Sequence, residues 1–485
     1  PTNAPTAAPT RYHQCLLPPT PTPATSQFGH SVTMDDTSGY AFVGDPKAPW
    51  ERAFAYMRLG GGVWKTDPFG TDSSAPSAPS FMLGTGGYKK MGGYAVAMTS
   101  EYVVVGAPAI TAVALWQGGA SSYLGKVWMV RRASDTAGYP MGSVGSFVRL
   151  EGTAEAMYQE GFGHSVAITE DRSASGGHKS HVFVGAPLYN GLRGKVVVYL
   201  DLPLNSGNFV TLSPPTFCVP YVGGEWVCRR RLATDDAAPS NASHGERDDD
   251  DLRSWEWQHS SAPVVGGDSA PAPAPASSSL LAQRRRAQII KLPPAPPCFN
   301  GLHFGWAVDA THDYAVVAAN KQPACANDAS NVAYVYKWTG VTWSTVIYAW
   351  MTNPGPGSIE WAYDVAISTD YIAVSAPRAP GGGMVSIFLT GVQGSLSAVH
   401  TVLPLCTVGS CVGFGSSIAL ADGAGHTYLA FSSVGAQKAF VYRHWVGSSH
   451  VNWALILPLE VYAPSIPGFG ASIDVTGNYV IVGSK

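Results

Sequence analysis

The sequence predicts an all-β fold built from repeated four-stranded units, and three observations support that prediction. A phrase beginning with Phe-Gly, or a close variant of it, recurs seven times along the 485 residues. A valine-rich run closed by Gly, Pro or Asp follows most copies, as is typical of short buried strands. The chain has 54 Gly and 37 Pro but only 13% charged residues, which favours turns over helices. Seven four-stranded antiparallel units stacked around an axis would form a seven-bladed β-propeller.

Each copy of the repeat predicts the first two strands of a blade. The clearest copy runs from 162 to 168 as FGHSVAI and continues from 181 to 187 as HVFVGAP. The other copies begin at Phe28, Gly92, Phe304, Trp361, Phe414 and Phe469. A third apolar run follows most copies, at 54–59, 126–130, 195–200, 332–338, 384–389 and 439–444. A fourth run, as at 343–350 and 453–459, often carries a tryptophan and completes the four strands.

These copies resemble the FG-GAP repeats that form the head of integrin α chains and that occur in simpler bacterial and algal surface proteins. The resemblance covers 27–485, which we take as the propeller domain. Many members of that family hold calcium between the first two strands, in a turn close to Asp-x-Asp-x-Asp-Gly. None of the corresponding turns here, such as Asp35-Asp36-Thr37-Ser38-Gly39, spaces three carboxylates for an oxygen cage. We therefore expect no metal and no cofactor, and a thermal midpoint that a chelator leaves unchanged.

Two segments are expected to depart from the regular blades. Residues 1–26 form a leader rich in Pro, Thr and Ala, similar in composition to the hydroxyproline-rich segments of plant and green-algal surface glycoproteins. Residues 203–285 form a flexible insert in the third blade, because this charged, Ala-Pro-rich composition cannot bury enough apolar surface to fold. The fourth strand of that blade is then predicted at 286–292.

Features within the insert suggest modification and processing. Asn241 begins an N-glycosylation acceptor pattern. Arg231 and Arg286 end two arginine triplets, which are either solvated charge or processing sites that release the acidic stretch between them. Trypsin should cut first at these triplets and leave the propeller intact.

The last copy of the repeat is expected to close the ring with help from the leader. Its two strands, 469–475 and 479–482, are followed only by the residues up to Lys485. Residues 12–17 (YHQCLL) are predicted to form the outer strand of this blade, which leaves one strand missing. The sequence therefore suggests that the polypeptide continues beyond Lys485 or that a neighbouring copy donates a strand.

Seven cysteines in a chain that we expect to be secreted predict three disulfides and one unpaired residue, Cys15. The loop that enters a first strand and the loop between the second and third strands lie on the same face of a propeller. In the fourth blade these two loops carry Cys298 and Cys325, which we therefore expect to lie close together. The expected pairs are Cys298 with Cys325, Cys406 with Cys411, and Cys218 with Cys228. Buried free thiols are the alternative for each pair.

The composition and the motifs narrow the class of function. A net charge of -3 gives no basic face for nucleic acid, and no apolar run is long enough to span a membrane. No catalytic constellation is recognisable, and His30 and His164 are interpreted as repeat positions on inner strands rather than ligands. We therefore expect a secreted or cell-surface glycoprotein, not an enzyme, that binds a protein partner or its own copies through propeller loops.

Two alternatives stay open at this point. One is a lectin, for which Trp50, Trp116 and Trp361 are candidate exposed loop aromatics. The other is a hydrolase that works in the central channel, which a carboxylate pair in the funnel would favour.

Overall fold

The computed structural model describes the repeats and parts of the segments between them. The described residues are 14–17, 26–47, 52–59, 62–66, 92–108, 125–131, 147–151, 161–171, 179–189, 193–200, 209–214, 218–220, 226–228, 303–320, 331–353, 360–404, 412–447, 452–460 and 468–485. Every regular element within these ranges is a β-strand. None of the described residues forms a helix long and apolar enough to cross a membrane.

Six of the seven repeat copies form antiparallel sheets with the four strands in chain order. The first sheet consists of β1 (Ser31–Asp35), β2 (Tyr40–Asp45), β3 (Arg52–Arg58) and β4 (Trp64–Thr66). The second consists of β5 (Ala95–Met98), β6 (Tyr102–Ala107), β7 (Lys126–Arg131) and β8 (Phe147–Glu151). The third consists of β9 (Ser165–Asp171), β10 (Lys179–Ala186), β11 (Lys195–Tyr199) and β12 (Phe209–Leu212).

The remaining four-stranded sheets come from the second half of the chain. The fourth sheet consists of β15 (Phe304–Ala310), β16 (Tyr314–Ala319), β17 (Val332–Lys337) and β18 (Ala349–Thr352). The fifth consists of β19 (Val365–Ile367), β20 (Tyr371–Ala376), β21 (Met384–Leu389) and β23 (His400–Val402). The short β22 (Gly394–Ser395) pairs in parallel with β18 and covers the outer edge of the fourth sheet. The sixth consists of β24 (Phe414–Gly423), β25 (His426–Ser433), β26 (Lys438–Trp445) and β27 (Ala454–Glu460).

The seventh copy forms a sheet of two described strands, β28 (Phe469–Val475) and β29 (Val480–Ser484). The expectation of seven four-stranded blades is therefore corrected to six such blades and a smaller sheet. The first strands of consecutive copies contact one another throughout, and β28 contacts both β24 and β1. The fold is thus an all-β propeller whose first strands form a closed inner ring, because β28 bridges the sixth and first sheets.

The hydrophobic core lies in layers between neighbouring sheets. Alternation along each strand sends side chains to both faces of a sheet, and each face packs on the next sheet. The layer between the fourth and fifth sheets, for example, joins Val316 and Val335 to Trp361, Val374 and Phe388, all buried. The valine-rich second strands lie in the middle of these layers, which explains why they are apolar on both sides.

The glycine before Ala-Pro in the repeat has a steric role. A Cβ at Gly185 would overlap the carbonyl oxygen of Gly305, which belongs to the next copy of the repeat. Gly44, Gly106 and Gly483 meet the corresponding glycine of the next copy in the same way. These glycines therefore let inner strands approach closely around the ring, and it is their lack of a side chain, not an unusual φ, that is required.

The third sheet corrects one sequence prediction. Its fourth strand is β12, which pairs with β11 and lies inside the range 203–285 that was predicted to be the insert. The segment 286–292, predicted to be that strand, lies outside the described residues, as do Arg231, Asn241 and Arg286. Residues 216–295 form a unit of their own, in which β13 (Cys218–Pro220) pairs with β14 (Trp226–Cys228).

The described part of the leader also differs from its prediction. Residues 14–17 are not in a strand. The Gln14 side-chain amide exchanges hydrogen bonds with the backbone of Trp64 on β4, and the Tyr56 hydroxyl donates to the carbonyl of Leu17 at 2.8 Å. Leu16 packs against the hydrophobic core of the first sheet, as do Trp64 and Ile481 of β29. This segment is therefore attached to the first sheet through side chains, and residues 14–17 are not part of the outer strand that was predicted for the last copy.

Candidate functional site: an aromatic arc and a ring of channel carboxylates

Five aromatic side chains follow one another around the propeller at the end where each first strand begins, which we call the entry face. Each occupies the repeat position directly after Phe-Gly, or after its variant, in the first five copies. Consecutive ring centroids are 4.6, 5.1, 4.6 and 6.1 Å apart. In order, the rings are His30, Tyr94, His164, Trp306 and Tyr363. We call this set the aromatic arc, and it ends where Ser416 and Ala471 occupy the same repeat position.

Hydrogen bonds fix the middle of the aromatic arc. Nδ1 of His164 lies 3.0 Å from the carbonyl oxygen of Trp306, to which it can only donate. Nε2 of the same ring, 3.3 Å from the Tyr94 hydroxyl, then accepts a hydrogen bond from that hydroxyl. Burial lowers the pKa of His164 to about 4, so the imidazole is neutral at pH 7. The arc therefore has a neutral, hydrogen-bonded centre whose rings hold one orientation.

In five copies the residue before Phe-Gly, or before its variant, has a left-handed backbone, and this position separates two of the five from the other three. Gly161, Gly413 and Gly468 occupy it with φ values of 65°, 81° and 73°. The fourth and fifth copies keep the same conformation but carry side chains there, His303 with φ 46° and Glu360 with φ 63°. A side chain in this region costs about 1–2 kcal/mol relative to glycine. Such strain is commonly found at functional sites.

These two strained residues stand beside the aromatic rings of the arc. The His303 ring stacks on Trp306, with centroids 5.8 Å apart and planes 16° from parallel. Oε1 of Glu360 lies 2.9 Å from Nη1 of Arg378, whose side chain is 63% exposed. Burial raises the pKa of Glu360 while Arg378 opposes that rise. Burial also raises the pKa of the Tyr363 hydroxyl, with Asp364 and Glu360 adding to the rise and Arg378 opposing it. The fourth and fifth copies thus combine two aromatic faces with an ion pair.

The other end of the aromatic arc is bordered by cations. Burial lowers the pKa of His30 to about 4, with Lys485, His164 and Lys47 acting in the same direction. Burial, together with Lys47, also lowers the pKa of Lys485. His30 is therefore neutral near pH 7, and the positive charge at this end comes from the lysines.

Three carboxylates lie where neighbouring first strands meet around the channel: Asp309, Asp364 and Asp474. Protein surrounds each one closely, yet each keeps a small surface that water can reach. One oxygen of each accepts from the backbone N–H of the following residue, and the other accepts from a first strand of the next copy. The donors on the next copy are the amides of Ile367, Ile418 and Met34, at 2.9, 2.9 and 2.8 Å.

Desolvation shifts the acidity of these carboxyl groups upward. It raises the pKa of Asp309 to about 7, with the charges of Asp474 and Asp364 adding to the effect and two backbone amides opposing it. Desolvation likewise raises the pKa of Asp364 and of Asp474 to about 6, and two backbone amides oppose the rise in each case. Carboxyls with such values can exchange protons near neutral pH. Their oxygens are nevertheless held by backbone amides, which identifies them as links between neighbouring copies.

The opposite face of the propeller has a polar cavity of about 510 Å³. It is lined by the turns β1–β2, β24–β25 and β28–β29, including Asp36, Asp422 and Asn478. Asp36 is paired with Arg58 and accepts from Asn478, and Asp422 accepts from the Thr369 amide at 2.8 Å. Within the described ranges no three His, Cys, Asp or Glu side chains are arranged to hold a metal ion. The carboxylates at this cavity therefore tie turns together.

The sequence prediction located the functional residues only in part. Trp361, a predicted exposed loop aromatic, has no exposed surface and packs on Phe388, because it takes the place of the motif Phe in the fifth copy. Trp50 and Trp116 lie outside the described residues. His30 and His164 do occupy repeat positions, as predicted, but they belong to the aromatic arc. The signal that would have found the arc is the succession of ring-bearing residues after Phe-Gly in five copies.

Of the three predicted disulfides, the structure describes the cysteines of only one. Cys218 and Cys228 are direct partners in the β13–β14 ladder. Cys298, Cys325, Cys406 and Cys411 lie outside the described residues, so all three pairings stay predictions. Cys15 is exposed and forms no disulfide within the described part of the chain.

Comparison with known proteins leaves the family open. No family model matches the sequence, and no curated protein matches it. Among solved structures, a six-bladed β-propeller lectin from the fungus Aleuria aurantia, described as having a novel fucose recognition mode, has a TM-score of 0.35 at 11% identity. That similarity covers 92% of this chain and 98% of the lectin. The periplasmic gluconolactonase of Pseudomonas aeruginosa has a TM-score of 0.34 at 12% identity, over 90% of this chain and 85% of the enzyme. Neither likeness is close enough to bear on the function of this chain.

Proposed function

We propose that this chain is an extracellular or cell-surface binding and scaffolding glycoprotein, not an enzyme, and that it binds its partner through the entry face of the propeller. The aromatic arc is the observation that carries this proposal. Partly exposed aromatic side chains supply large, rigid contact areas at little cost in conformational entropy. Their hydrogen bonds and close ring contacts give a preorganised surface, which reduces the cost of binding.

The experiment compares two tryptophans in the purified full-length chain. Self-association is measured by sedimentation, and binding to immobilised matrix proteins and glycans by surface plasmon resonance. We expect at least one of these interactions, and we expect Trp306→Ala to weaken it at least about tenfold, as truncating an anchor residue does. Trp350→Ala, on the outer strand β18, is the matched control and should leave binding within about twofold. Binding that is equally strong in both variants would show that the entry face is not the binding surface.

The extracellular location rests on composition. The Pro/Thr-rich leader and the acceptor pattern at Asn241 support a secreted glycoprotein, and the resemblance to FG-GAP repeats favours a surface role. Glycopeptide mapping of protein from its native source should find glycans on the leader or on Asn241. A native protein without any glycan would contradict this part of the proposal.

We further propose that the seventh copy of the repeat, although it is not a four-stranded blade, keeps the inner ring of the propeller closed in solution. The contacts of β28 with both β24 and β1 support this, as do two hydrogen bonds across that junction. Ser472 donates to the carbonyl of Gly29 at 2.8 Å, and Asp474 accepts from the Met34 amide at 2.8 Å. An experimental structure in which β28 separates from β1 would exclude it.

A hydrolase that works in the channel is the second candidate function. A carboxyl with a pKa of about 7, as at Asp309, suits general acid and base catalysis at neutral pH. The backbone hydrogen bonds to both of its oxygens favour the structural role instead. Hydrolysis of a glycoside or ester substrate that is lost in Asp309→Asn, with the fold retained, would reverse this preference.

A further inference from the structure

We infer that the entry face holds a subsite for one residue of a neutral carbohydrate, located between the fourth and fifth copies of the repeat. Its residues are Trp306, Tyr363, Glu360 and Arg378, with His303 as a positioning residue behind Trp306. The inference rests on the proposed function of the entry face as a binding surface and specifies the chemical class of ligand.

Two aromatic faces define the platform of this subsite. The rings of Trp306 and Tyr363 are 6.1 Å apart and inclined by 55°, and both keep exposed surface. A pyranose ring presents C–H bonds on its faces and hydroxyl groups around its rim. The C–H faces pack favourably on aromatic rings, which are apolar and carry partial negative charge on their faces. The exposed parts of these two rings offer apolar contact to one sugar ring.

The hydroxyl groups of the sugar need partners near the platform, and the Glu360–Arg378 pair, whose charges act on the Tyr363 hydroxyl, supplies both kinds. The Glu360 carboxylate accepts hydrogen bonds, and the guanidinium of Arg378 has five N–H donors, of which the pair with Glu360 leaves several available. Paired charges have no net charge to satisfy, so an uncharged ligand with many hydroxyl groups fits better than an anion or a cation. The neutral His164 beside Trp306 is consistent with this choice.

The backbone supplies an argument that is independent of the ligand model. At the left-handed position before Phe-Gly, three other copies use glycine, which adopts it without strain. Among the described residues at this position, only His303 of the fourth copy and Glu360 of the fifth combine a left-handed backbone with a side chain. His303 stacks on Trp306, and Glu360 pairs with Arg378. Strain at the two copies that carry the platform indicates that these side chains are present for a purpose other than folding.

The test is isothermal titration of the full-length chain with neutral, acidic and amino oligosaccharides of matched length. We expect neutral oligosaccharides to bind and the acidic and amino sugars to bind at least about tenfold more weakly. Trp306→Ala and Arg378→Ala should each reduce the affinity for the neutral sugar more than about tenfold, because they remove the platform and the donors. Trp350→Ala is the control for loss of an exposed tryptophan, and Lys438→Ala for loss of a cation.

One variant separates a binding role from a structural one. Glu360→Gly should abolish sugar binding while leaving the thermal midpoint unchanged or raising it by about 2 °C, since it relieves the left-handed strain. Gln437→Gly relieves the same kind of strain, at φ 52°, outside the subsite and should leave the affinity unchanged. A purely structural Glu360 would instead lower the thermal midpoint when it is replaced.

The outcomes also distinguish the inference from the proposed function. If no neutral sugar binds, or if acidic sugars bind more tightly, the inference is wrong. If binding to a protein partner or to other copies is then still lost in Trp306→Ala, the proposed function of the entry face stands. If neither kind of ligand depends on Trp306, both fail together.

Discussion

The third and fourth copies of the repeat are neighbours in the ring, yet they have different residues at the left-handed position before Phe-Gly. Gly161 of the third copy adopts its left-handed conformation without a side chain, whereas His303 of the fourth copy adopts it with one and stacks on Trp306. The glycine copy shows what the fold alone needs at this place. The other shows what is added when a side chain is required at the entry face. Residues that all copies share therefore indicate what packing needs, and residues that differ in one or two copies indicate where to look for function.

The largest expected effect comes from replacing a repeat glycine that is needed only for the packing of neighbouring copies. Gly185→Ala would place a methyl group on the carbonyl oxygen of Gly305 in the next copy, and backbone atoms cannot move aside cheaply. We expect the free energy of unfolding to fall by more than about 3 kcal/mol, or the propeller not to form. Urea denaturation measures the change.

A second glycine provides the control for that experiment. Gly381 has φ 92° and no atom within 4 Å of the position of a Cβ. Gly381→Ala should cost only the strain of the left-handed conformation, about 1–2 kcal/mol. Equal losses in the two variants would show that close approach of neighbouring copies is not what the repeat glycine provides.

Asp309 should make the stability of the propeller depend on pH. Its pKa is about 7 in the folded chain, above its usual value of 3.8, so the folded state binds the proton more tightly than the unfolded state does. Protonated Asp309 therefore contributes its full share of the folding stability below pH 3.8, and this contribution is lost as the pH rises to about 7. We expect the contribution of this group to the free energy of unfolding to fall by up to about 4 kcal/mol over that window.

Asp309→Asn should flatten the fall in stability between pH 4 and pH 7 that thermal denaturation detects. Asp422→Asn removes a carboxylate that also accepts two hydrogen bonds but is exposed near the end of β24, and it serves as the control. A slope that Asp309→Asn leaves as steep as before would mean that this carboxyl is not the group that titrates.

The smallest expected effect concerns the fifth copy. Glu360→Gly removes an ion pair with an exposed partner, worth about 0–1 kcal/mol, and relieves about 1–2 kcal/mol of backbone strain. The free energy of unfolding should therefore rise by about 1 kcal/mol, as measured by chemical denaturation. A loss of stability of that size would instead make Glu360 part of what holds the blade together.

The sequence predicted the all-β repeat well because its signals are local and are repeated. The first two strands of each copy and the third runs, such as 384–389 against β21, were located closely since valine-rich alternation and turn residues define them. Fourth strands were less certain. The predicted strand 343–350 overlaps β18 only at its end, because Trp343 is buried in the turn before it. In the third copy, β12 is short and partly exposed, so composition hid it inside the predicted insert.

The functional residues were harder to predict because they depend on which copies are neighbours in space. Tyr94 and His164 are 70 residues apart in the chain but share a hydrogen bond. The carboxylate of Asp474 is conspicuous only once Met34 is known to lie beside it. Left-handed φ values at His303 and Glu360 leave no mark in a sequence unless the other copies are aligned against them.

The junction of β28 with β1 has a consequence for how the chain folds. The bond from Ser472 to Gly29 and that from Met34 to Asp474 connect residues 443 and 440 positions apart. Contacts across this junction have the largest chain separations among the described contacts of the inner ring, and such non-local contacts form slowly because a very long loop must close first. During synthesis the first blade must wait, with one apolar face uncovered, until more than 440 residues have been made. That waiting period is when the nascent chain is most exposed to aggregation and to chaperones.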